Sequence, residues 1–164
     1  MKLSLAKKLA LHHMGRNGLE EWSFHFSATP KRFGLCDYVN KSISLSRYLV
    51  WNNELERVER VILHEIAHAL TPRAGHGPVW QEQCAELGIP GETQFWYEKD
   101  TVVVPPKFLG TCPSCNKQLT LNRVPRNIKG RVLVHKVCQT TVQFYPNPAW
   151  VLMSALTVSN ARKK

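Results

Sequence analysis

Hydrophobic and polar residues follow two different periods along this chain. In residues 22–26 every second residue is aromatic, which predicts a half-buried strand. Residues 31–39 and 42–45 predict two further short strands, whereas residues 2–16 predict an amphipathic helix. This mixture of strands and helices indicates an α+β fold.

A longer helix is predicted in the segment that ends at Pro72. Asn53 is its predicted N-cap, and Glu56 follows three residues later in a variant of the capping box. Its apolar residues fall on a stripe about 80° wide that should face the core. These residues are Leu55, Val58, Ile62, Ile66 and Ala69. A shorter helix is predicted between Pro78 and Gly88.

The second half of the longer predicted helix carries an HExxH motif, His-Glu-Ile-Ala-His at residues 64–68. Histidines four residues apart project from one helical face, so His64 and His68 can both bind one Zn²⁺. Glu65 is offset around the helix and can act without replacing a histidine. Since this composition gives HExxH by chance with a probability of about 2%, a catalytic metal site is favoured over two structural histidines.

A catalytic zinc site needs a third protein ligand and an open position. His76 is assigned as this ligand, because Gly75 and Gly77 give the backbone freedom to return it to the first two histidines. The metzincin continuation is excluded, since it would need glycine at position 71 and histidine at position 74, which are threonine and alanine. A glutamate, Glu82 or Glu86, stays open as the alternative.

These residues suit hydrolysis. Zinc lowers the pKa of a water molecule towards about 7 and polarises a carbonyl group, while Glu65 would act first as general base and then as general acid. The sequence therefore predicts a zinc metalloendopeptidase of the HExxH type that forms no covalent intermediate. A zinc hydrolase acting on another bond is also compatible with this set.

Three of the five cysteines form part of two short pairs in the last third of the chain. Cys112 and Cys115 form a CxxC pair, and His135 and Cys138 form an HxxC pair after 19 intervening residues. Such pairs suit a closed, tetrahedral structural zinc site of the zinc-ribbon type. A redox-active CxxC pair and unliganded thiols are the alternatives. The other two cysteines are isolated and are interpreted as core residues.

The net charge of +10 lies entirely in the last part of the chain. Residues 1–100 contain 12 Lys or Arg and 12 Asp or Glu, whereas residues 101–164 contain 10 Lys or Arg and no acidic residue. A nucleic acid is the expected partner of such a segment, and a general solubility surface is the alternative. The candidate nucleic-acid-binding residues are Arg123, Arg126, Lys129 and Arg131.

Several segments together resemble the SprT-like metallopeptidases, a family that includes the Spartan-type proteases that digest proteins crosslinked to DNA. The resemblance covers roughly residues 19–140, and its most specific part is HEIAHAL at 64–70 followed by GHGPVW at 75–80. Further matching segments are residues 22–26, 32–36 and 43–46.

The resemblance implies a minimal zincin-like fold, with His64, His68 and His76 as zinc ligands and Glu65 as the catalytic acid and base. It also implies a DNA-associated or DNA-crosslinked protein as the substrate. SprT-like proteins often carry a C-terminal zinc ribbon, usually with cysteines in the second pair, so His135 is a departure from the family pattern.

We therefore predict three segments: a SprT-like zincin metallopeptidase domain at 1–100, a small, β-rich, basic zinc ribbon at 101–145, and a C-terminal helix or tail at 146–164. The expected cofactors are one catalytic and one structural Zn²⁺. The expected partners are a protein substrate and DNA, either single-stranded or in DNA–protein complexes. The alternative is a nucleic-acid-binding zinc protein whose HExxH domain is only a scaffold. Glu65 favours the enzyme, because a structural zinc needs no general base.

No membrane partner is expected, because the longest apolar runs are far shorter than the roughly 20 residues that span a bilayer. Lys7 and Lys8 interrupt the N-terminal stretch where a signal peptide would need an unbroken apolar segment. Together with the odd number of cysteines, this predicts an intracellular protein that is not secreted.

Overall fold

The computed structural model describes residues 1–30, 32–92, 104–123 and 132–161, with the side chains of 156–161 left out of the description. The chain forms two compact units, Met1–Val103 and Val104–Lys164. Helices and small sheets occur together, so the predicted α+β class is confirmed. In the described ranges, no helix has both the length and the apolar character that crossing a membrane requires.

In its described residues, the first unit contains four helices and three strands. In chain order these are α1 (Leu3–Arg16), β1 (Ser23–Ser27), β2 (Gly34–Asp37), β3 (Ser42–Ser46), α2 (Arg47–Asn52), α3 (Leu55–Leu70) and α4 (Pro78–Glu86). The strands form one mixed sheet in which β3 lies in the centre, parallel to β1 and antiparallel to β2.

Helix α3 packs against β2 and β3 and also contacts α1 and α4. All five residues of the central strand β3 are buried. Because β2 is an edge strand of this sheet, the helix with the HExxH motif lies beside a sheet edge. This arrangement brings the motif next to the backbone of β2.

The apolar stripe of α3 is buried as predicted from Val58 to Ala69, but Leu55 is 44% exposed. The predicted N-cap is wrong, because α3 begins after Glu54. Asn53 instead follows the short helix α2, where its side-chain amide donates a hydrogen bond to the carbonyl of Leu49. The capping pattern was ambiguous, because an asparagine between two adjacent helices can serve either one.

The described part of the second unit contains five short strands and one helix. They are β4 (Phe108–Thr111), β5 (Gln118–Leu121), β6 (Val132–His135), β7 (Thr140–Gln143), β8 (Tyr145–Pro146) and α5 (Pro148–Ala161). Strand β4 lies between β5 and β8, while β6 and β7 form a separate hairpin. The predicted start of the tail at residue 146 thus falls within a strand that pairs with β4.

Candidate active site

Two histidines of the HExxH motif lie one turn apart on α3. His64 is 1% exposed, and His68 is partly buried. Their Nε2 atoms are 3.2 Å apart. The helical spacing alone therefore brings two nitrogen ligands to one point.

A short loop after α3 returns the third histidine to this point. Thr71 ends the helix, and Gly75 has a left-handed backbone with φ of +59°, which glycine adopts without steric cost. The Nε2 atom of His76 lies 3.1 Å from that of His68 and 3.3 Å from that of His64. The two glutamates considered as alternative ligands, Glu82 and Glu86, are exposed on α4 and do not belong to this cluster.

The donor set fits a zinc ion. Tetrahedral zinc with Zn–N bonds of about 2.0–2.1 Å separates its nitrogen ligands by about 3.3–3.4 Å. The three Nε2 atoms form a triangle with sides of 3.1, 3.2 and 3.3 Å. Three imidazole nitrogens that converge on one point at this spacing are suited to share a cation.

Electrostatics favour the neutral, metal-binding form of these imidazoles. Burial lowers the pKa of His68 to about 4, and it also lowers the pKa of His76. Burial lowers the pKa of His64 as well, although Glu92 acts in the opposite direction. All three rings are therefore ready to offer a lone pair at neutral pH.

A fully buried tryptophan supports the three imidazoles. The ring centroid of Trp80 lies 4.6 Å from those of His64 and His76, and 5.2 Å from that of His68, on which it stacks. Trp80 also belongs to a core cluster with Leu63, Ala67, Cys84 and Ile89. The indole thus links the three histidines to the core formed by α3 and α4.

The side chain of Glu65, which belongs to α3, faces the edge strand β2, and the residue is only 3% exposed. Burial raises the pKa of its carboxyl group to about 8, while a hydrogen bond from the backbone N–H of Cys36 and the charge of Arg32 act in the opposite direction. A Cβ added at Gly34 would lie 2.7 Å from both Cγ and Cδ of Glu65. Strand β2 therefore fixes the position of this carboxylate. The backbone N–H of Cys36 donates a hydrogen bond to it, and the absence of a side chain at Gly34 leaves room for it.

The model of the SprT-like family matches residues 3–95, which is more than half of the 164 residues. This chain belongs to the SprT-like family. Its first unit is thus a zinc metallopeptidase-like domain, and the three histidines are consistent with zinc. No curated protein and no solved structure matches the chain.

Gly34 gives a test of how the SprT-like domain holds Glu65. We expect Gly34→Ala to lower peptidase activity by about 10- to 100-fold, because the new methyl group must displace the Glu65 side chain. Zinc content should not change, since the three atoms nearest to the added Cβ all belong to Glu65 and not to a histidine. The control is Gly15→Ala in α1, where an added Cβ meets no atom within 4 Å. Equal activity of the two variants would contradict this role of Gly34.

The structure also places two residues at the site that the sequence patterns did not single out. The Tyr38 hydroxyl, just after β2, donates a 3.0 Å hydrogen bond to the carbonyl of His68. Glu92 is buried, and its Oε1 lies 3.6 Å from Nδ1 of His64. Neither residue belongs to a local motif, because both reach the site only through the packing of distant segments.

The second unit gathers the four predicted ribbon ligands. One ligand atom from each of Cys112, Cys115, His135 and Cys138 lies within 4.8 Å of all the others. Within this group, Sγ of Cys115 lies 3.7 Å from Nδ1 of His135. Tetrahedral zinc holds sulfur and nitrogen ligands about 3.5–3.8 Å apart, so this group also fits zinc.

The ligand Cys112 is fully buried and favours its thiolate form. Burial raises the pKa of this thiol, but hydrogen bonds from the backbone of Cys115 and Ser114 outweigh burial and lower it to about 6. A thiolate is the form that binds zinc. The backbone of the CxxC loop thus stabilises Cys112 in the form that a zinc ligand needs.

Of the four candidate nucleic-acid-binding residues, Arg123 is described and is exposed just after β5. Arg126, Lys129 and Arg131 lie outside the described residues. Two other basic residues of this unit, Lys117 and Lys136, are exposed as well. The hypothesis that this unit binds nucleic acid through a basic surface therefore stays a prediction.

Proposed function

We propose that this SprT-like protein is a zinc-dependent endopeptidase of the HExxH type that acts on DNA-associated proteins. The observation that carries the peptidase proposal is the convergence of three imidazole Nε2 atoms, with a buried glutamate, Glu65, directly after His64 in α3. A structural zinc would be served by the histidines alone. The buried carboxylate of Glu65 would supply the acid–base group that hydrolysis requires.

His64, His68 and His76 would hold the catalytic zinc through their Nε2 atoms. Bound zinc supplies a Lewis acid that polarises a peptide carbonyl and makes a water molecule more acidic. In its ionised form Glu65 would accept the proton of the attacking water, and its raised pKa lets it hold this proton before passing it to the leaving amine. The Cys36 N–H and the space at Gly34 keep this carboxylate in one orientation during both transfers.

The proposed substrate class rests on the charge of the second unit. Residues 101–164 contain 10 basic and no acidic side chains, and a zinc ion bound by three thiolates and one neutral histidine adds −1, which leaves about +9. Lys117, Arg123 and Lys136 present part of this charge to solvent. Such a unit would attract the phosphate backbone and bring the peptidase to proteins bound there.

Metal content and DNA-dependent proteolysis test the proposal together. Protein purified without chelator should contain about two zinc ions per chain, and it should cleave an unfolded protein substrate faster when single-stranded DNA is added. Removing the metal with a chelator should stop cleavage, and zinc should restore it. A protein that carries zinc but cleaves no protein substrate with or without DNA would favour the non-proteolytic alternative.

Salt-dependent binding tests the proposed DNA surface. Neutralising Arg123, Arg126, Lys129 and Arg131 together should weaken binding to single-stranded DNA. The slope of log affinity against log salt should also fall, by about 0.7 for each lost phosphate contact. The measurement is a binding titration at several salt concentrations, with proteolysis of a DNA-free substrate checked in parallel.

A matched control removes four exposed charges from the first unit instead, at Lys2, Lys7, Lys8 and Arg16. This variant has the same net charge as the first one, so a difference between them reports the position of the charges. If both variants bind DNA with the same affinity and slope, the four ribbon residues do not form the DNA surface.

A further inference from the structure

Glu92 is a buried carboxylate that the peptide-bond chemistry described above does not use. It lies beyond α4, and its side chain is 4% exposed. One carboxylate oxygen, Oε2, forms a close ion pair with Nε of Arg60. The other oxygen, Oε1, faces Nδ1 of His64 at 3.6 Å.

This three-residue arrangement follows from the spacing of α3. Arg60 and His64 are four residues apart, so they lie on the same face of the helix, one turn from each other. Glu92 reaches across both of them from a distant part of the chain. Burial of this carboxylate without a partner would be costly, and Arg60 offsets that cost. Because Arg60 pairs with Oε2, the other oxygen, Oε1, is left to face the histidine.

We propose that Glu92, anchored by Arg60, is a positioning residue that orients His64 as a metal ligand. This inference rests on the proposed zinc site. A neutral imidazole carries a single N–H, and the group facing one ring nitrogen decides which nitrogen holds the proton. A carboxylate at Nδ1 favours the proton there, which leaves the Nε2 lone pair directed towards the other two histidines.

The distance between Oε1 of Glu92 and Nδ1 of His64 shows what kind of interaction joins the two residues. At 3.6 Å, Oε1 and Nδ1 are too far apart for a hydrogen bond, so the interaction in this structure is electrostatic. Both groups are almost fully buried, and little water is present to weaken the attraction between a carboxylate and an N–H dipole. The carboxylate also adds negative charge behind a ligand of a divalent cation.

The test measures zinc affinity of the full-length protein rather than activity. Glu92→Gln should weaken zinc binding at the histidine site by about 10- to 100-fold in competition with a chelator. Zinc in the ribbon should stay bound, which is checked by the continued protection of its cysteines from a thiol reagent. Glu82→Gln, an exposed glutamate on α4, is the matched control and should bind zinc like the wild type.

Two further variants separate positioning from a purely structural ion pair. Arg60→Gln removes the ion pair but keeps the carboxylate beside His64, so it should weaken zinc binding less than Glu92→Gln. Glu92→Asp keeps the charge at a greater distance and should give an intermediate affinity. It also carries the test if Glu92→Gln does not fold.

A structural ion pair alone would give a different pattern. Glu92→Gln and Arg60→Gln would then lower the melting temperature equally and leave zinc affinity at the wild-type value, which would overturn the inference while the proposed peptidase stands. A wild-type protein that binds no zinc at its histidines would overturn both.

Discussion

Glu65→Gln is expected to lower the rate of protein cleavage by about 10²- to 10⁴-fold while zinc content and fold are retained. Glutamine has the same shape, so it fits the space beside Gly34 and can still accept the hydrogen bond from the Cys36 N–H. Its amide cannot accept and return the proton that hydrolysis moves. Because Glu65 is buried, replacing it with a neutral group should not lower the melting temperature.

The measurement is turnover of an unfolded protein substrate, with zinc content and thermal unfolding determined on the same samples. Glu82→Gln provides an exposed glutamate as the control and should retain full activity. Undiminished turnover of Glu65→Gln would show that another group is the base. A loss of zinc together with activity would instead mean that Glu65 supports the ligands.

Cys112→Ala is expected to unfold the second unit and to leave the first unit folded. The buried apolar side chains described in the second unit are the cluster of Cys112, Val142 and Phe144, with a few partly buried neighbours, and Trp150 and Met153 of α5. Such a core is too small to stabilise the strands alone, whereas a structural zinc contributes about 10–16 kcal/mol of binding free energy to folding. The substitution removes both a zinc ligand and a core side chain.

Hydrogen exchange of backbone amides resolves the two units in one experiment. Amides of β4, β5, β6 and β7 should lose protection in Cys112→Ala, and those of α3 should keep it. Ser114→Ala changes an exposed residue between the two cysteines and should retain both zinc and protection. Strands that stay protected in Cys112→Ala without zinc would show that the ribbon folds without its metal.

The proximity of the residues in each candidate ligand set could be predicted, because these residues are also close together in the sequence. His64 and His68 are one helical turn apart, and His76 follows after a loop of only a few residues. In the second unit each pair of ligands is separated by two residues. Such short separations leave the chain few ways to arrange these side chains, so type and spacing are informative. The structure brings each set together.

Secondary-structure elements were predicted best where the periodic pattern of apolar residues or the flanking proline and glycine marked them clearly. The periodic helix α3 and the helix between Pro78 and Gly88 were identified, and the strand at residues 22–26 corresponds to β1. The short helix α2 was missed, and its neighbour Asn53 was assigned to the wrong helix. Six residues offer less than two helical turns, which is too little for a period to emerge.

The sequence by itself determined the chemistry: the HExxH motif, the third histidine, the two ribbon pairs and the basic last third of the chain are all local patterns. Only the tertiary structure decided what surrounds that chemistry. It set Gly34 and Cys36 of an edge strand against Glu65, and it brought Glu92 to His64. These contacts join residues about 30 positions apart, whose proximity depends on how helices and strands pack. Packing is a property of the whole folded unit, and no short stretch of sequence encodes it.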